Sequence, residues 1–206
     1  MVITSGRFIL ASASPRRIEL LSLLGLRFEV MPSHVDEVFM QGEAPREHVL
    51  RLSEEKAENA AVLHPDAWVM GADTIVIIDG DVLGKPRTPN EAKEMLGKLS
   101  GRVHTVFTGF TVTRRNAQIL IREAIESSVR FRDIRDDEMA WYIKSEEPYD
   151  KAGGYAVQGM GAFFIREIHG SYTNVMGLPL CEVVDVLKSV GAIDFTGGIH
   201  GVDSNG

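Results

Sequence analysis

The order of apolar and polar residues predicts a chain in which strands and helices alternate. Short apolar runs of strand length occupy residues 8–11, 68–78 and 103–114. Residues 15–24 and 45–64 instead place their apolar side chains at the spacing of amphipathic helices. Alternation of these two periods is typical of a mixed α/β domain.

Residues that commonly begin or end such elements lie at the expected boundaries. Ser14-Pro15 predicts the start of the first helix, with Ser14 as its N-cap, and Gly25 lies where that helix would end. Asp79-Gly80 predicts a two-residue hairpin after the second strand. Thr88-Pro89-Asn90-Glu91 has the form of a capping box and predicts a helix that ends near Gly101.

The second half of the chain predicts two long strands, a short helix, another strand and a closing helix. These elements cover residues 103–114, 118–131, 136–143, 163–168 and 179–190. The pattern of the second long strand is interrupted at residues 123–126, and Asp136-Asp137 is predicted to cap the short helix. We expect one domain over residues 1–195, followed by a glycine-rich, poorly ordered tail at 196–206.

Composition narrows the classes of function. The 206 residues suffice for one domain, or for two lobes that share a core, and 44% of them are hydrophobic. With 22 Lys and Arg against 29 Asp and Glu the net charge is −7, which disfavours binding of duplex nucleic acid through a basic face. Cys181 is the single cysteine, so a disulfide framework, an iron–sulfur cluster and a cysteine zinc site are excluded.

The sequence also predicts where the protein resides. No apolar stretch is long enough to span a membrane, and the apolar run that follows Arg7 is too short for a signal-peptide core. A lone cysteine suits a reducing compartment, so we expect a cytoplasmic protein. The oligomeric state stays open, with a homodimer as one alternative.

The first of four segments suited to chemistry is Ser12-Ala13-Ser14-Pro15-Arg16-Arg17. Two arginines in the first turn of a helix lie at an end that already carries partial positive charge and unpaired N–H groups. An anion bound there by Ser14, Arg16 and Arg17 would resolve this conflict. The alternative is that both arginines are solvated on a surface helix.

The second and third segments each contribute one charged side chain. Gly71-Ala72-Asp73-Thr74 places a carboxylate inside an apolar strand, which is costly unless the group is paired, bound to a metal or catalytic. An aspartate at a strand edge that accepts hydrogen bonds from backbone is the alternative. Gly84-Lys85-Pro86 presents a lysine on a tight corner, where it either faces a cleft or is solvated, and the spacing of a P-loop is absent.

The fourth segment, residues 151–161, begins with Lys151 and is rich in glycine. Its glycines either allow the backbone to approach a ligand or form a turn between strands. Gln158 offers both a donor and an acceptor, which suits recognition of the edge of a base. The six histidines, by contrast, are scattered without the spacing of metal ligands.

Taken in order along the chain, these segments resemble the Maf family of nucleoside triphosphate pyrophosphatases. Further matching segments are Val35-Asp36-Glu37, Glu55-Lys56-Ala57, Leu99-Ser100-Gly101 and the run from Gly170 to Pro179. The resemblance covers roughly residues 7–190. No single motif is decisive, but the ordered series is specific.

The resemblance implies an elongated α/β fold in which helices flank a mixed, strongly twisted sheet. One Maf-like domain would form two lobes around a cleft, similar to that of inosine triphosphate pyrophosphatases. It also implies hydrolysis between the α- and β-phosphates of a nucleoside triphosphate, which releases a monophosphate and pyrophosphate. A divalent cation, Mg²⁺ or Mn²⁺, would be the cofactor.

The resemblance also implies a role for each site residue. Asp73 would be the general base, and Glu37 and Asp73 are the candidate metal ligands; whether Asp73 is mainly base or ligand stays open. The residues implied to bind the triphosphate are Ser14, Arg16, Arg17, Lys56, Lys85 and Lys151. The positions associated with base preference are occupied by Arg16-Arg17, Thr74 and Gln158, as in the subgroup that prefers dTTP and UTP.

Two readings from other classes compete with the enzyme. A nucleotide-sensing regulator of cell division would keep the pocket without turnover, but it would have no need of the base that Asp73 supplies. A protein that binds single-stranded nucleic acid needs a basic groove with stacking aromatics. The net charge of −7 and the aromatic content of 7% disfavour that reading. Modified uridine triphosphates stay open as natural substrates.

Overall fold

The computed structural model describes residues 2–195, so the predicted tail at 196–206 lies outside the described residues. The strands are β1 (Ile3–Thr4), β2 (Phe8–Leu10), β3 (Glu29–Val30), β4 (Trp68–Ile78), β5 (Asp81–Leu83), β6 (Val103–Arg114), β7 (Ile119–Phe131), β8 (Ile165–His169) and β9 (Ile193–Asp194). The α-helices are α1 (Pro15–Leu23), α2 (Pro45–Leu63), α3 (Pro89–Leu99), α4 (Asp136–Ile143), α5 (Tyr172–Met176) and α6 (Leu180–Ser189). No helix in this part of the chain combines the length and the apolar character needed to cross a bilayer.

Seven strands form one mixed sheet in the order β3-β2-β4-β6-β7-β8, with β5 added to β4. β2 runs parallel to both β3 and β4, whereas the pairs β4–β6, β6–β7 and β7–β8 are antiparallel. The strands β4, β6 and β7 have 11, 12 and 13 residues and are the long central strands of the molecule. β1 and β9 form a separate antiparallel pair.

One edge of β4 is shared by two short strands that do not meet. β2 pairs with Trp68–Met70 and β5 with Val76–Ile78, whereas the opposite edge of β4 pairs with β6 from Val69 to Ile77. Residues 72–75 therefore have a partner strand on one side only, among the strands that the structure describes. This opening separates β2 from β5 and leaves space for a cleft beside the middle of β4.

Apolar side chains form separate clusters at the two ends of β4. At one end α1 and α6 cover Trp68 and Met70, and at the other α3 and α4 cover Val76 and Ile78. All four side chains lie on one face of the strand because successive residues alternate between faces. Thr74 lies on the same face between the two clusters, at the level of the opening.

Helix α2 lies on the opposite face of the sheet, in direct contact with its backbone. A Cβ atom added at Gly71 of β4 would lie 2.2 Å from the carbonyl oxygen of Ser53, and one added at Gly109 of β6 would lie 2.3 Å from that of Val49. No side chain fits in such a space, so only glycine allows the helix to come this close. The approach brings Lys56 of α2 within reach of the centre of β4.

Several local predictions are confirmed. The strand β4 has the predicted limits, and Asp79 and Gly80 have φ angles of 53° and 83°, as a primed hairpin turn requires. Thr88 caps α3, because its Oγ1 accepts a hydrogen bond from the N–H of Glu91 at 3.2 Å. The carboxylate of Glu91 accepts from the N–H of Arg87 at 2.7 Å, so the return bond of the capping box is displaced by one residue.

Two predictions in the second half of the chain are wrong at the residue level. The predicted interruption at residues 123–126 is absent, because β7 is continuous there and Ala124 is buried opposite Gly109. The cap position of α4 is held by Arg135, and Asp136 is the first helical residue. In both places polar residues lie on a regular element at exposed or partly exposed positions, where the pattern of apolar residues gives no signal.

The structure also revises the segment from residue 160 to residue 177. The strand predicted from residue 163 begins only at Ile165, because a short 3₁₀ helix occupies Met160–Phe164. Helix α5 was not predicted, although Ser171 caps it and Gly177 ends it with a φ of 115°. Five residues are too few for helical periodicity to be visible in sequence.

Candidate active site

A cleft of about 340 Å³ opens at the unpaired edge of β4. All ten residues that the sequence suggested for the site line this one cleft. They are Ser14, Arg16, Arg17, Glu37, Lys56, Asp73, Thr74, Lys85, Lys151 and Gln158. The topology therefore gathers segments that are far apart in sequence around the opening between β2 and β5.

Lys56 lies between two carboxylates at the base of the cleft. Its Nζ donates hydrogen bonds to Asp73 Oδ1 at 2.7 Å and to Glu37 Oε1 at 2.5 Å. The side chains of Lys56 and Asp73 are only 8% and 7% exposed, whereas that of Glu37 is 51% exposed. The cost of a carboxylate within an apolar strand is thus offset by a buried cation.

The pKa of Glu37 records the charge of its surroundings. Partial burial works to raise it, but the hydrogen bond from Lys56 and the positive charges of Lys56, Lys85 and Arg17 outweigh burial and lower the pKa below its ordinary value. Glu37 is therefore held as a carboxylate that faces a positively charged cleft.

Arg17 is buried, and its guanidinium group holds several segments of the protein together. Its Nη1 donates to the carbonyl of Ala72 at 2.8 Å and to Ser12 Oγ at 3.2 Å, its Nε to the carbonyl of Gly177 at 2.8 Å, and its Nη2 to Thr74 Oγ1 at 2.9 Å. Burial lowers its pKa, against the opposing effect of the nearby Asp73 charge. Four of its five N–H groups bind the protein, so its direct share in ligand binding is at most one N–H.

Arg16 and Ser14 have more freedom to bind a ligand. Arg16 is half-buried, donates from Nε to the carbonyl of Met176 at 3.3 Å, and has Nη1 3.6 Å from Asp150 Oδ2. Ser14 occupies the N-cap position of α1, but its hydroxyl makes no capping bond. Both lie at a helix N-terminus whose first turn contains no acidic residue, which is the arrangement expected for an anion site.

Two lysines lie at the rim of the cleft. Lys85 is exposed, and the corner that carries it is held in place by a hydrogen bond from the N–H of Gly153 to the carbonyl of Gly84 at 3.0 Å. Lys151 donates to the carbonyl of Glu147 at 2.9 Å and pairs closely with Asp150. The positions of both lysines therefore depend on the segment that begins at Lys151.

Thr74 and Gln158 differ in their surroundings. The Oγ1 of Thr74 lies 3.0 Å from that of Thr108 and accepts from Arg17, so its hydroxyl is already engaged within the protein. Gln158 is exposed at the corner of a turn closed by a hydrogen bond from the N–H of Gly159 to the carbonyl of Ala156 at 3.4 Å. Of the two, Gln158 has the side chain that can reach a ligand.

The carboxylates of Glu37 and Asp73 are chemically suited to hold a divalent cation. Hard cations such as Mg²⁺ are bound in proteins by one or two carboxylates together with oxygens of a bound phosphate. Both groups already share one cation, the ammonium of Lys56, so their oxygens converge. Among residues 2–195 no cluster of three or more acidic, histidine or cysteine side chains is arranged to hold a metal ion.

Sequence reasoning did not single out two parts of the site. The carbonyls of Met176 and Gly177, at the C-terminal end of α5, accept hydrogen bonds from Arg16 and Arg17. Asp150 contributes a third carboxylate to the cleft. Ser171 and Gly177, which begin and end α5, were available signals for the first of these.

Comparison with known structures agrees with this fold. The Ham1 protein of Staphylococcus aureus superimposes with a TM-score of 0.52 over 90% of this chain and 100% of that one, at 12% sequence identity. That likeness and the mixed sheet with its flanking helices confirm the predicted fold class.

Sequence comparison gives the family. The dTTP/UTP pyrophosphatase of Syntrophus aciditrophicus (strain SB) is 60% identical over 199 residues, which cover 97% of both chains. The dTTP/UTP pyrophosphatase of Myxococcus xanthus (strain DK1622) is 48% identical over 183 residues, or 89% of this chain and 92% of that one. The family model described as Maf-like protein matches residues 7–190, and the chain therefore belongs to the Maf family.

Proposed function

We propose that this chain is an enzyme that hydrolyses dTTP and UTP between the α- and β-phosphates, releasing the monophosphate and pyrophosphate. Relatives that are up to 60% identical over almost the whole chain are named dTTP/UTP pyrophosphatase. The structural observation that carries the proposal is a buried carboxylate, Asp73, beside several cations in one cleft.

The charge of the cleft suits a triphosphate that carries its cation. Five cationic side chains and three carboxylates line it, so its formal charge is +2 although the whole chain has −7. The cations are Arg16, Arg17, Lys56, Lys85 and Lys151, and the carboxylates are those of Glu37, Asp73 and Asp150. A triphosphate carries about four negative charges, and about two once a divalent cation is bound.

Glu37 would hold Mg²⁺ or Mn²⁺ together with phosphate oxygens, and the ion would neutralise part of the phosphate charge. Asp73, the other candidate ligand, is assigned the role of general base instead, because a carboxylate that binds a metal tightly is a poor proton acceptor. Arg16, Lys85 and Lys151, which line the cleft, would stabilise the negative charge that develops on the leaving pyrophosphate.

Asp73 is the side chain suited to accept the proton of the attacking water. Its Oδ1 accepts from Lys56, which leaves Oδ2 to face the water. As the water oxygen bonds to phosphorus, the bond from that phosphorus to the bridging oxygen breaks, the leaving group takes the electron pair and the proton passes to Asp73. A positioned general base of this kind contributes roughly 10²–10⁴ in rate.

Base preference is assigned to Gln158. Its amide offers one donor and one acceptor, which match the O4 and N3–H edge that uracil and thymine share. Thr74, whose hydroxyl is engaged by Arg17 and Thr108, would shape the pocket rather than read the base.

The decisive experiment is an assay of pyrophosphate release with Mg²⁺ and coupled inorganic pyrophosphatase. The panel contains dTTP, UTP, 5-substituted uridine triphosphates, dCTP, dATP and dGTP. We expect monophosphate and pyrophosphate from dTTP and UTP at the highest kcat/KM. Release of nucleoside diphosphate and phosphate would place the cleavage between the β- and γ-phosphates. Binding of dTTP without turnover would make the protein a nucleotide sensor.

A further inference from the structure

The carboxylate of Glu147 is the centre of a hydrogen-bond cluster behind the turn at residues 156–159, which carries Gln158. Its Oε2 accepts from the N–H of Met160 at 2.8 Å. Its Oε1 accepts from the N–H of Gly161 at 2.8 Å and from the hydroxyl of Tyr142 at 2.9 Å. Glu147 does not line the cleft, so these bonds serve the protein itself and not a ligand.

The glycines around Gln158 are explained by this carboxylate. A Cβ atom added at Gly159 would lie 2.2 Å from Glu147 Oε2, and one added at Gly161 would lie 2.9 Å from the hydroxyl of Tyr142. The segment is therefore glycine-rich because it wraps an internal anion, which is an arrangement that the sequence alone does not distinguish from a ligand site.

Tyr142 completes the cluster from the side of α4. It is fully buried, and burial together with the hydrogen bond to Glu147 raises the pKa of its hydroxyl, which stays a donor. Glu147 therefore ties a helix in the core to the N–H groups of Met160 and Gly161, just after the turn that carries Gln158. Hydrogen bonds to a charged acceptor are stronger than those between neutral groups.

We propose that Glu147 is a positioning residue for base recognition, because it fixes the turn that presents Gln158 to the cleft. Gln158 precedes Met160 by two residues, and no side-chain bond of Gln158 restrains it within the described residues. Its placement depends on the backbone, and the backbone is held by Glu147. The inference rests on the proposed function, in which Gln158 reads the base.

The test is Glu147→Gln, with Glu146→Gln as the matched control. The glutamine turns an NH₂ group toward backbone N–H groups, yet it keeps the main-chain carbonyl that binds Lys151. Glu146 is an exposed neighbour whose substitution makes the same change of charge. We expect faster hydrogen–deuterium exchange at the amides of Met160 and Gly161 in Glu147→Gln only.

The functional readout is the ratio of kcat/KM for dTTP to that for dCTP. We expect this ratio to fall by roughly tenfold in Glu147→Gln, because a misplacement of about 1 Å is enough to lose such a factor. Tyr142→Phe removes one of the three bonds and should give a smaller loss, and it serves if Glu147→Gln folds poorly.

A double-mutant cycle with Gln158→Ala separates positioning from general damage. If Glu147 acts through Gln158, Glu147→Gln should change the ratio little once Gln158 is alanine. Additive losses, or an unchanged ratio in Glu147→Gln whatever its exchange rates, would overturn the inference. Absence of pyrophosphate release from the wild type would instead overturn the proposed function, and the exchange result would still stand.

Discussion

The Asp73 carboxylate can lie inside an apolar strand because Lys56 pairs with it. Both side chains are less than one-tenth exposed, and the lysine also binds the half-exposed Glu37. Removal of one member of a buried pair leaves an uncompensated charge, which costs more than the pair contributes when it is intact. The contact between Lys56 and Asp73 therefore affects both the stability of the fold and the candidate catalytic carboxylate.

Lys56→Met should lower the free energy of unfolding by about 3–5 kcal/mol, because it removes the cation beside a buried carboxylate and keeps the length of the side chain. Urea unfolding followed by circular dichroism measures the change. Lys98→Met is the matched control: its pair with Asp81 is about half exposed and screened by solvent, so its removal should leave the unfolding free energy almost unchanged. Equal losses in the two variants would contradict the role given to Lys56.

Asp73→Asn separates catalysis from binding. The amide keeps the size of the side chain and an oxygen for Lys56, but it cannot accept a proton at neutral pH. We expect pyrophosphate release from dTTP to fall by roughly 10²–10⁴. The Kd of a non-hydrolysable dTTP analogue, measured by calorimetry, should stay within severalfold. Near-full turnover would remove Asp73 from the role of base.

At the scale of elements, the contact of α2 with the sheet sets the geometry of the site. Gly71 and Gly109 lie on neighbouring strands, and the backbone of α2 rests on both. Lys56 is on this helix and Asp73 is on β4, opposite Gly109. The distance between ammonium and carboxylate is therefore fixed by two glycines that bind nothing themselves.

Gly109→Ala should damage stability and activity together. Its Cβ would lie 2.3 Å from the carbonyl oxygen of Val49, so α2 must move away from the sheet and carry Lys56 from Asp73. We expect a loss of about 1–3 kcal/mol in unfolding free energy, together with a lower kcat.

Gly97→Ala is the control for that prediction. Gly97 is exposed in the interior of α3, and an added Cβ would meet nothing within 4 Å. Alanine is the better helix former by about 1 kcal/mol, so this variant should be more stable than the wild type with unchanged turnover. The same substitution thus has opposite signs at the two glycines, and two losses of similar size would contradict the packing argument.

The elements that sequence predicts well are those with local signals. β4 is a buried apolar run that ends at Asp79-Gly80, and α3 begins at a proline after a capping threonine. Helix α5 escapes prediction because it is held by tertiary bonds, such as the one from the Asn174 amide to the carbonyl of Val106. Its five residues carry too little periodicity of their own.

The sequence predicts which residues line the cleft but not which of them bind the protein itself. Arg16 and Arg17 are the same residue type at neighbouring positions, yet Arg16 is half-buried beside the cleft and Arg17 is buried. Helical spacing offered the distinction, since Arg17 shares the face of Leu20 and Leu21, both of which are buried. The role of Glu147 could not be foreseen, because it depends on where a distant loop returns.

At the scale of the whole molecule, the cleft is bounded by both halves of the chain. Asp73, Lys56 and Arg16 come from the first half, whereas Gln158 and the α5 carbonyls come from the second. His104 of β6 supports one wall of this cleft, because its Nε2 lies 2.7 Å from the hydroxyl of Tyr155, which lines the cleft. The contact between His104 and Tyr155 forms only when the chain is folded, because the two residues are far apart in sequence.

His104 predicts how the stability of the fold depends on pH. Burial lowers its pKa from the ordinary 6.5 to about 4, so the folded protein keeps the imidazole neutral where the unfolded chain protonates it. The unfolded state then binds more protons between these two values, and the free energy of unfolding falls as pH falls from about 6.5 toward about 4. For a fully buried group this linkage amounts to roughly 3 kcal/mol.

Urea unfolding between pH 7 and 5 tests this linkage in three proteins. The wild type should lose stability steadily over the range, whereas His104→Gln, which can still bond to Tyr155 but does not titrate, should show a flatter dependence. His169→Gln removes a histidine whose side chain is 73% exposed and should follow the wild-type slope. Glu43 does not affect the slope over this range, since its hydrogen bond with Arg51 lowers its pKa to about 2. The stability that Glu43 contributes is lost only as the pH falls below about 4.5. A wild-type slope in His104→Gln would show that another group carries the acid sensitivity.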